Sequence, residues 1–99
     1  MIKPNGIKEF ADAMLGIISK GTYTISSTTK DIPIHSTKIE GDTFHVNLYL
    51  DDTVVGNVTN TGLYSYKGTL LADRPDYIGK PEDKGLLIVY KFKLSEVTP

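Results

Sequence analysis

Thr43-Phe44-His45-Val46-Asn47-Leu48-Tyr49-Leu50 is the stretch of this 99-residue chain that decides its fold. Phe44, Val46, Leu48 and Leu50 recur at every second position, with Thr43, His45, Asn47 and Tyr49 between them. That period belongs to a strand with one face in a core and the other outside it. Upstream, Glu40-Gly41-Asp42 reads as a tight hairpin turn that gives 43–50 an antiparallel partner at 36–40. Downstream, Asp51-Asp52 turns the chain into 53–59, where Val54 and Val58 point inward around Gly56. Asn60-Thr61-Gly62 reads as a further hairpin signal, leading to a strand over 63–71 with Gly68 at a bulge.

Farther out, the run at 85–95 sets Leu86, Ile88, Tyr90, Phe92 and Leu94 on one face and Leu87, Val89, Lys91 and Lys93 on the other. A strand apolar on one side and half apolar on the other is expected to be central, or to be covered by another chain. Toward the N-terminus, 22–28 reads as a strand with Tyr23 and Ile25 on one face, and Pro33 makes 31–35 an edge or irregular piece. Residues 6–20 carry helical periodicity: Ile7, Phe10, Ala11, Met14, Leu15, Ile17 and Ile18 recur at three- and four-residue spacing. Asn5 is placed to cap that helix, Lys20 to meet its negative end, and Gly21 to stop it in the left-handed conformation. The expected fold is α+β: one domain spanning 1–99, with an N-terminal amphipathic helix packed on an antiparallel β-meander of five to six strands within 22–71 and 85–95. The segment 72–84 is expected to be the one long loop.

Composition narrows the function classes. The chain is 39% hydrophobic and 23% charged, so a packed core is expected rather than disorder. A net charge of −1 disfavours a nucleic-acid partner, because neutralising phosphates needs a basic surface. There is no cysteine, which removes thiolate metal sites and cysteine nucleophiles. The longest apolar run, Leu86-Leu87-Ile88-Val89-Tyr90, is far short of the roughly 18 residues of a spanning helix. The N-terminus lacks the apolar run of a secretory signal, so no membrane partner and a place in the cytoplasm of the producing cell are expected.

The chemical constellations are sparse. His35 and His45 are the only histidines, and Thr37 and Asn47 beside them supply no further carboxylate, so neither a metal nor a cofactor is expected. Asp51 and Asp52 are adjacent and would diverge from a strand, which suits turn formation better than acid–base work. Asp73, Asp76, Glu82 and Asp83 do not follow calcium-loop spacing. No nucleophile elbow and no phosphate-binding glycine loop occurs. The chain therefore reads as no enzyme, and no catalytic residue is assigned. The segment 72–84 holds the only arginine, Arg74, near Tyr77, and these residue types often anchor interfaces. Arg74, Asp76, Tyr77 and Lys80 of that loop, with Leu87 and Val89 of the last strand, are the expected contact residues for protein partners, self-association included. A small inhibitor or immunity protein that blocks an enzyme is the competing reading. A third is a sugar or nucleotide site built on Tyr49, Tyr64, Tyr66 and Tyr77, set against the commoner use of strand aromatics as packing pairs.

A helix ending before Gly21-Thr22-Tyr23-Thr24-Ile25, several threonine- and asparagine-rich strands, and a finish of Phe92-Lys93-Leu94-Ser95-Glu96-Val97 also resemble one group of chains. These are the small proteins encoded among the tail and baseplate genes of phages and prophages of Gram-positive bacteria. The resemblance departs from that group at 72–84. It implies a structural, virion-associated role, with assembly contacts and no chemistry.

Overall fold

The computed structural model describes residues 2–75, 78–80 and 84–95. It is an α+β fold, as the periodicities require: one helix, then antiparallel strands throughout. Among the described residues the helix α1 spans Pro4–Ile17 and eight strands follow. These are β1 (Ile18–Ile25), β2 (Thr28–Ile32), β3 (Ser36–Glu40), β4 (Thr43–Leu50), β5 (Gly56–Ser65), β6 (Leu70–Arg74), β7 (Ile78–Lys80) and β8 (Leu86–Lys93). They form two sheets. The first has the order β2-β1-β5-β6, with β7 paired to β5 farther along the same strand; the second has the order β3-β4-β8.

The alternation of 43–50 places β4 at the centre of the three-stranded sheet. Its register runs from Glu40↔Thr43 to Ser36↔Asn47 on one side and from Thr43↔Lys93 to Leu50↔Leu86 on the other. Gly41 adopts φ +59, which lets Gly41-Asp42 close the β3–β4 hairpin. The inner face of this sheet meets the inner face of the other. Val46, Leu48, Leu50, Ile88 and Tyr90 interlock with Val58 and Leu63 to form the core. A hydrogen bond joins the layers inside it, between Thr61 Oγ1 and the Tyr90 hydroxyl at 2.7 Å.

The helix is shorter than the 6–20 expected, because its caps differ. Pro4 occupies the first turn, where its fixed φ favours helix and its missing N–H costs nothing. Lys3, not Asn5, holds the N-cap position. The C-cap is Ile18, with extended φ −80 and ψ 118, because pairing with β5 draws the chain directly into β1. Gly21 accordingly lies inside β1 and is no helix stop. A Cβ there would come within 2.7 Å of Leu48 Cδ1 and nearer still to Cδ2, so its lack of a side chain lets Leu48 pack against the β1 backbone.

Three further expectations change. The strand read over 22–28 turns at Ser26-Ser27, both with positive φ (52 and 64), and returns as β2. Asn60-Thr61-Gly62 is no hairpin; it runs through β5 opposite Thr24, Tyr23 and Thr22. The turn comes later, where Ser65 Oγ accepts the Lys67 and Thr69 N–H groups and Gly68 takes φ +81. The long loop expected at 72–84 holds most of β6 and all of β7, which complete the first sheet along β5. The strand count exceeds the expected five to six for these reasons, and the sheets cover one another instead of relying on the helix.

Candidate interaction surface

Because the sheets bury each other, α1 has less to cover than its apolar arc provides. Ile7, Ala11 and Leu15, spaced by four, turn toward the sandwich; Ala11 is 1% exposed and Leu15 packs on the core. Phe10, Met14 and Ile17, at i, i+4 and i+7, form a second stripe on the neighbouring face. That stripe lies in solvent, at 54%, 37% and 41% exposure. The helix meets the end of the sandwich where Phe44 and Phe92 stack at 5.1 Å, and the Ile17 carbonyl accepts the Tyr66 N–H at 3.1 Å. An apolar groove of about 190 Å³ opens there, lined by Met14, Ile17, Ile18, Phe44, Leu63, Leu71 and Phe92. The sequence showed the stripe but not its exposure. All seven apolar residues of the helix read as core-facing, and only the second sheet reveals that three of them are surplus.

The expected contact residues separate in space. Leu87 and Val89 point outward from β8, at 52% and 38% exposure, beside Tyr49 and Asn47 of β4. Arg74 ends β6 and engages the chain itself: Nη1 donates to the Val89 carbonyl at 3.0 Å, and the guanidinium lies 5.8 Å from the centre of the Tyr90 ring. It straps the edge of one sheet to the edge of the other. Lys80, expected on a loop surface, is instead 4% exposed in β7, because pairing with Gly56 draws this residue into the sheet. Asp76 and Tyr77 lie outside the described residues.

The histidines do not converge either. His35 packs on Tyr49 with ring centres 5.3 Å apart, whereas His45 stands between Lys38 and Lys91 in the register. Among the described residues no three His, Asp or Glu side chains gather as metal ligands. Tyr49, Tyr64 and Tyr66 make no common platform: Tyr49 faces out of the second sheet, Tyr64 lies under Lys20 on the first, and Tyr66 sits in the 65–69 turn. Tyr23 and Tyr49 do border a shallow cleft of about 260 Å³ with Asp31, Asp51 and Thr53. Its carboxylates are engaged, Asp31 by Lys20 at 2.9 Å and Asp51 by the Thr53 N–H and hydroxyl.

Those bonds from Thr53 hold the Asp51 carboxyl below the usual range, and the adjacent Lys38 does the same to Glu40 by hydrogen bond and charge. A carboxylate lowered in the folded state contributes stability above its unfolded pKa and loses it as pH falls through the folded one. The thermal unfolding temperature is therefore expected to be level from neutral pH down to the ordinary carboxylate range, about 4, and to fall below it. Both groups lie at the surface, where solvent screens them, so the slope should be shallow. Thr53→Val should flatten part of it in calorimetry; an identical acid profile for the variant would refute the assignment of Asp51.

Among the described residues no helix is long and apolar enough to cross a membrane. Comparison with protein-family models, curated proteins and solved structures finds no match. The surface itself defines the class of question: an α+β sandwich with an apolar helix face left uncovered.

Proposed function

We propose that this protein is a non-enzymatic structural or protein-interaction module, associated with the virion of a phage or prophage, and that it acts by binding other protein chains. The observation that carries the binding part is the Phe10–Met14–Ile17 stripe and the adjoining groove, which together expose apolar surface that a solitary chain gains nothing by presenting. Leu87 and Val89 add a second exposed apolar pair on the outer face of β8. The virion part rests on the resemblance of Gly21-Thr22-Tyr23-Thr24-Ile25 and the terminal Phe92-Lys93-Leu94 run to phage tail-region proteins. The test is mass spectrometry of phage particles purified from an induced producing strain. The chain is expected in the particles, and Phe10→Asp is expected to reduce its incorporation. Wild-type chain abundant in the lysate but absent from particles removes the virion placement. Equal incorporation of wild type and of variants on both apolar faces removes the proposed contacts.

A further inference from the structure

We propose that the cleft between the β1–β2 hairpin and the 51–55 connection is a binding site for a neutral saccharide the size of a disaccharide. The site is additional to the protein-binding surfaces and does not depend on them.

Gly21, Tyr23 and Ile25 share the inward face of β1, since a Cβ on Gly21 would meet Leu48 of the other sheet. Lys30 and Thr28 stand opposite Tyr23 and Ile25 in β2. β4 ends at Leu50, and the 51–55 connection takes its place across from these side chains. Two joined recesses result. The first, of about 270 Å³, lies between Tyr23, Ile25 and Lys30 on the hairpin and Thr53, Val54 and Val55 on the connection. The second, the cleft of about 260 Å³ described above, continues from Tyr23, Thr53 and Val54 toward Pro33 and Tyr49. Together they reach the roughly 300–1,000 Å³ usual for small-ligand sites, and two joined recesses suit two linked rings.

Both walls are fixed in advance. On the connection, Asp51 Oδ1 accepts the Thr53 N–H and hydroxyl, and the Asp51 carbonyl accepts the Val54 N–H at 3.2 Å. On the hairpin, Asp31 Oδ2 accepts Lys20 Nζ at 2.9 Å. Among the described residues each carboxylate is thus aimed by one oxygen and left able to accept through the other. Acceptors set this way need little reordering on binding. Lys30 adds a donor, and Tyr23 and Tyr49, one from each sheet, add aromatic surface.

A sugar ring uses that combination. Its hydroxyls take acceptors and donors in close alternation, and its C–H faces take apolar or aromatic surface. Charge separates it from other small polar ligands. Asp31 and Asp51 at the rim repel a phosphate or a carboxylic acid, whereas Lys30, with Lys20 already paired to Asp31, offsets the attraction for a cation. A wholly apolar ligand would strip water from both carboxylates without replacing its hydrogen bonds.

The experiment is a titration of the isotope-labelled protein, followed through its amide shifts by NMR, with maltose, lactose and diacetylchitobiose in turn and with inorganic phosphate for comparison. At least one disaccharide is expected to shift amides confined to 23–33 and 49–55, and phosphate to leave them in place. Asp51→Asn keeps an oxygen for Thr53, and Tyr49→Ala falls at an exposed position. Each is expected to raise the dissociation constant about tenfold. Lys67→Ala, in the turn after Ser65 at the far end of β1, should bind as the wild type does. No shift with any of the three sugars overturns the inference. So does phosphate moving these amides when no sugar does, or both cleft variants binding with wild-type affinity. None of these outcomes touches the protein-interaction reading, which incorporation into phage particles tests separately.

Discussion

Replacing Gly21 with valine is expected to leave the protein largely unfolded at physiological temperature. A Cβ at Gly21 would stand within 2.7 Å of Leu48 Cδ1, closer to Cδ2, and 3.1 Å from Cγ. Leu48 cannot swing aside, because it is fully buried among Val46, Leu50, Val58 and Leu63. Overpacking by even one methyl group costs about 1–3 kcal/mol in a well-packed core, and valine adds two more carbons. A small domain has about 5 kcal/mol to lose at the lower end of the common range. The mechanism is tested by coupling. Leu48→Ala alone should cost about 2–5 kcal/mol through the cavity it leaves. In that background Gly21→Ala should be neutral or favourable, since its methyl group enters the vacated space. Equal costs of Gly21→Ala in both backgrounds, measured by urea unfolding, would show that the two residues do not meet. Gly85 supplies the contrast. A Cβ there would clash with the Tyr49 hydroxyl, but Tyr49 is exposed and its ring can turn away, so Gly85→Ala should cost much less.

Gly21 also shows where the sequence stops being legible. A glycine after fifteen residues of helical periodicity is read locally as a stop, yet its role is set by Leu48, which is distant in sequence and belongs to the other sheet. The parts read correctly are those whose signal is short-range: the alternation of 43–50, the Gly41 hairpin, the two-sided run recovered as β8, and the body of the helix. The parts misread depend on partners. Ser26-Ser27 carries no glycine or asparagine to announce two positive φ values, so β1 and β2 merged into one strand. Asn60-Thr61-Gly62 has turn composition but is held extended by β1. Residues 72–84, with two prolines and many charges, gave β6 and β7 no apolar alternation of their own; their strand character comes from pairing with β5. The same limit applies to the surface. Leu87 and Val89 were legible as an outward apolar pair, because strand alternation fixes which side they take. The helix stripe was not, because periodicity tells which residues share a face and not how much of that face another element needs.

Tyr90→Ala is expected to cost about 3–5 kcal/mol, the range for removing a buried aromatic, and the comparison with Tyr90→Phe separates what the ring does from what the hydroxyl does. The ring is 4% exposed, stacks with Phe92 at 6.3 Å and lies beneath the Arg74 guanidinium. The hydroxyl pairs with Thr61 Oγ1 across the two sheets. Tyr90→Phe keeps the packing but leaves the buried Thr61 hydroxyl without this partner, a loss of about 1–2 kcal/mol. At roughly 4–8 °C per kcal/mol for a domain of this length, the midpoint should fall by about 5–15 °C. Thr61→Val introduced into Tyr90→Phe should then recover most of that, since replacing both partners with apolar groups of similar shape removes the unpaired donor. A Thr61→Val cost that is the same with tyrosine or phenylalanine at 90 would place the hydroxyl bond outside the folding energetics. The comparison also bears on Arg74. Its strap to Val89 and the Tyr90 ring gives this arginine a structural task, so any loss of partner binding in Arg74→Ala must be compared with the loss of stability the same substitution causes.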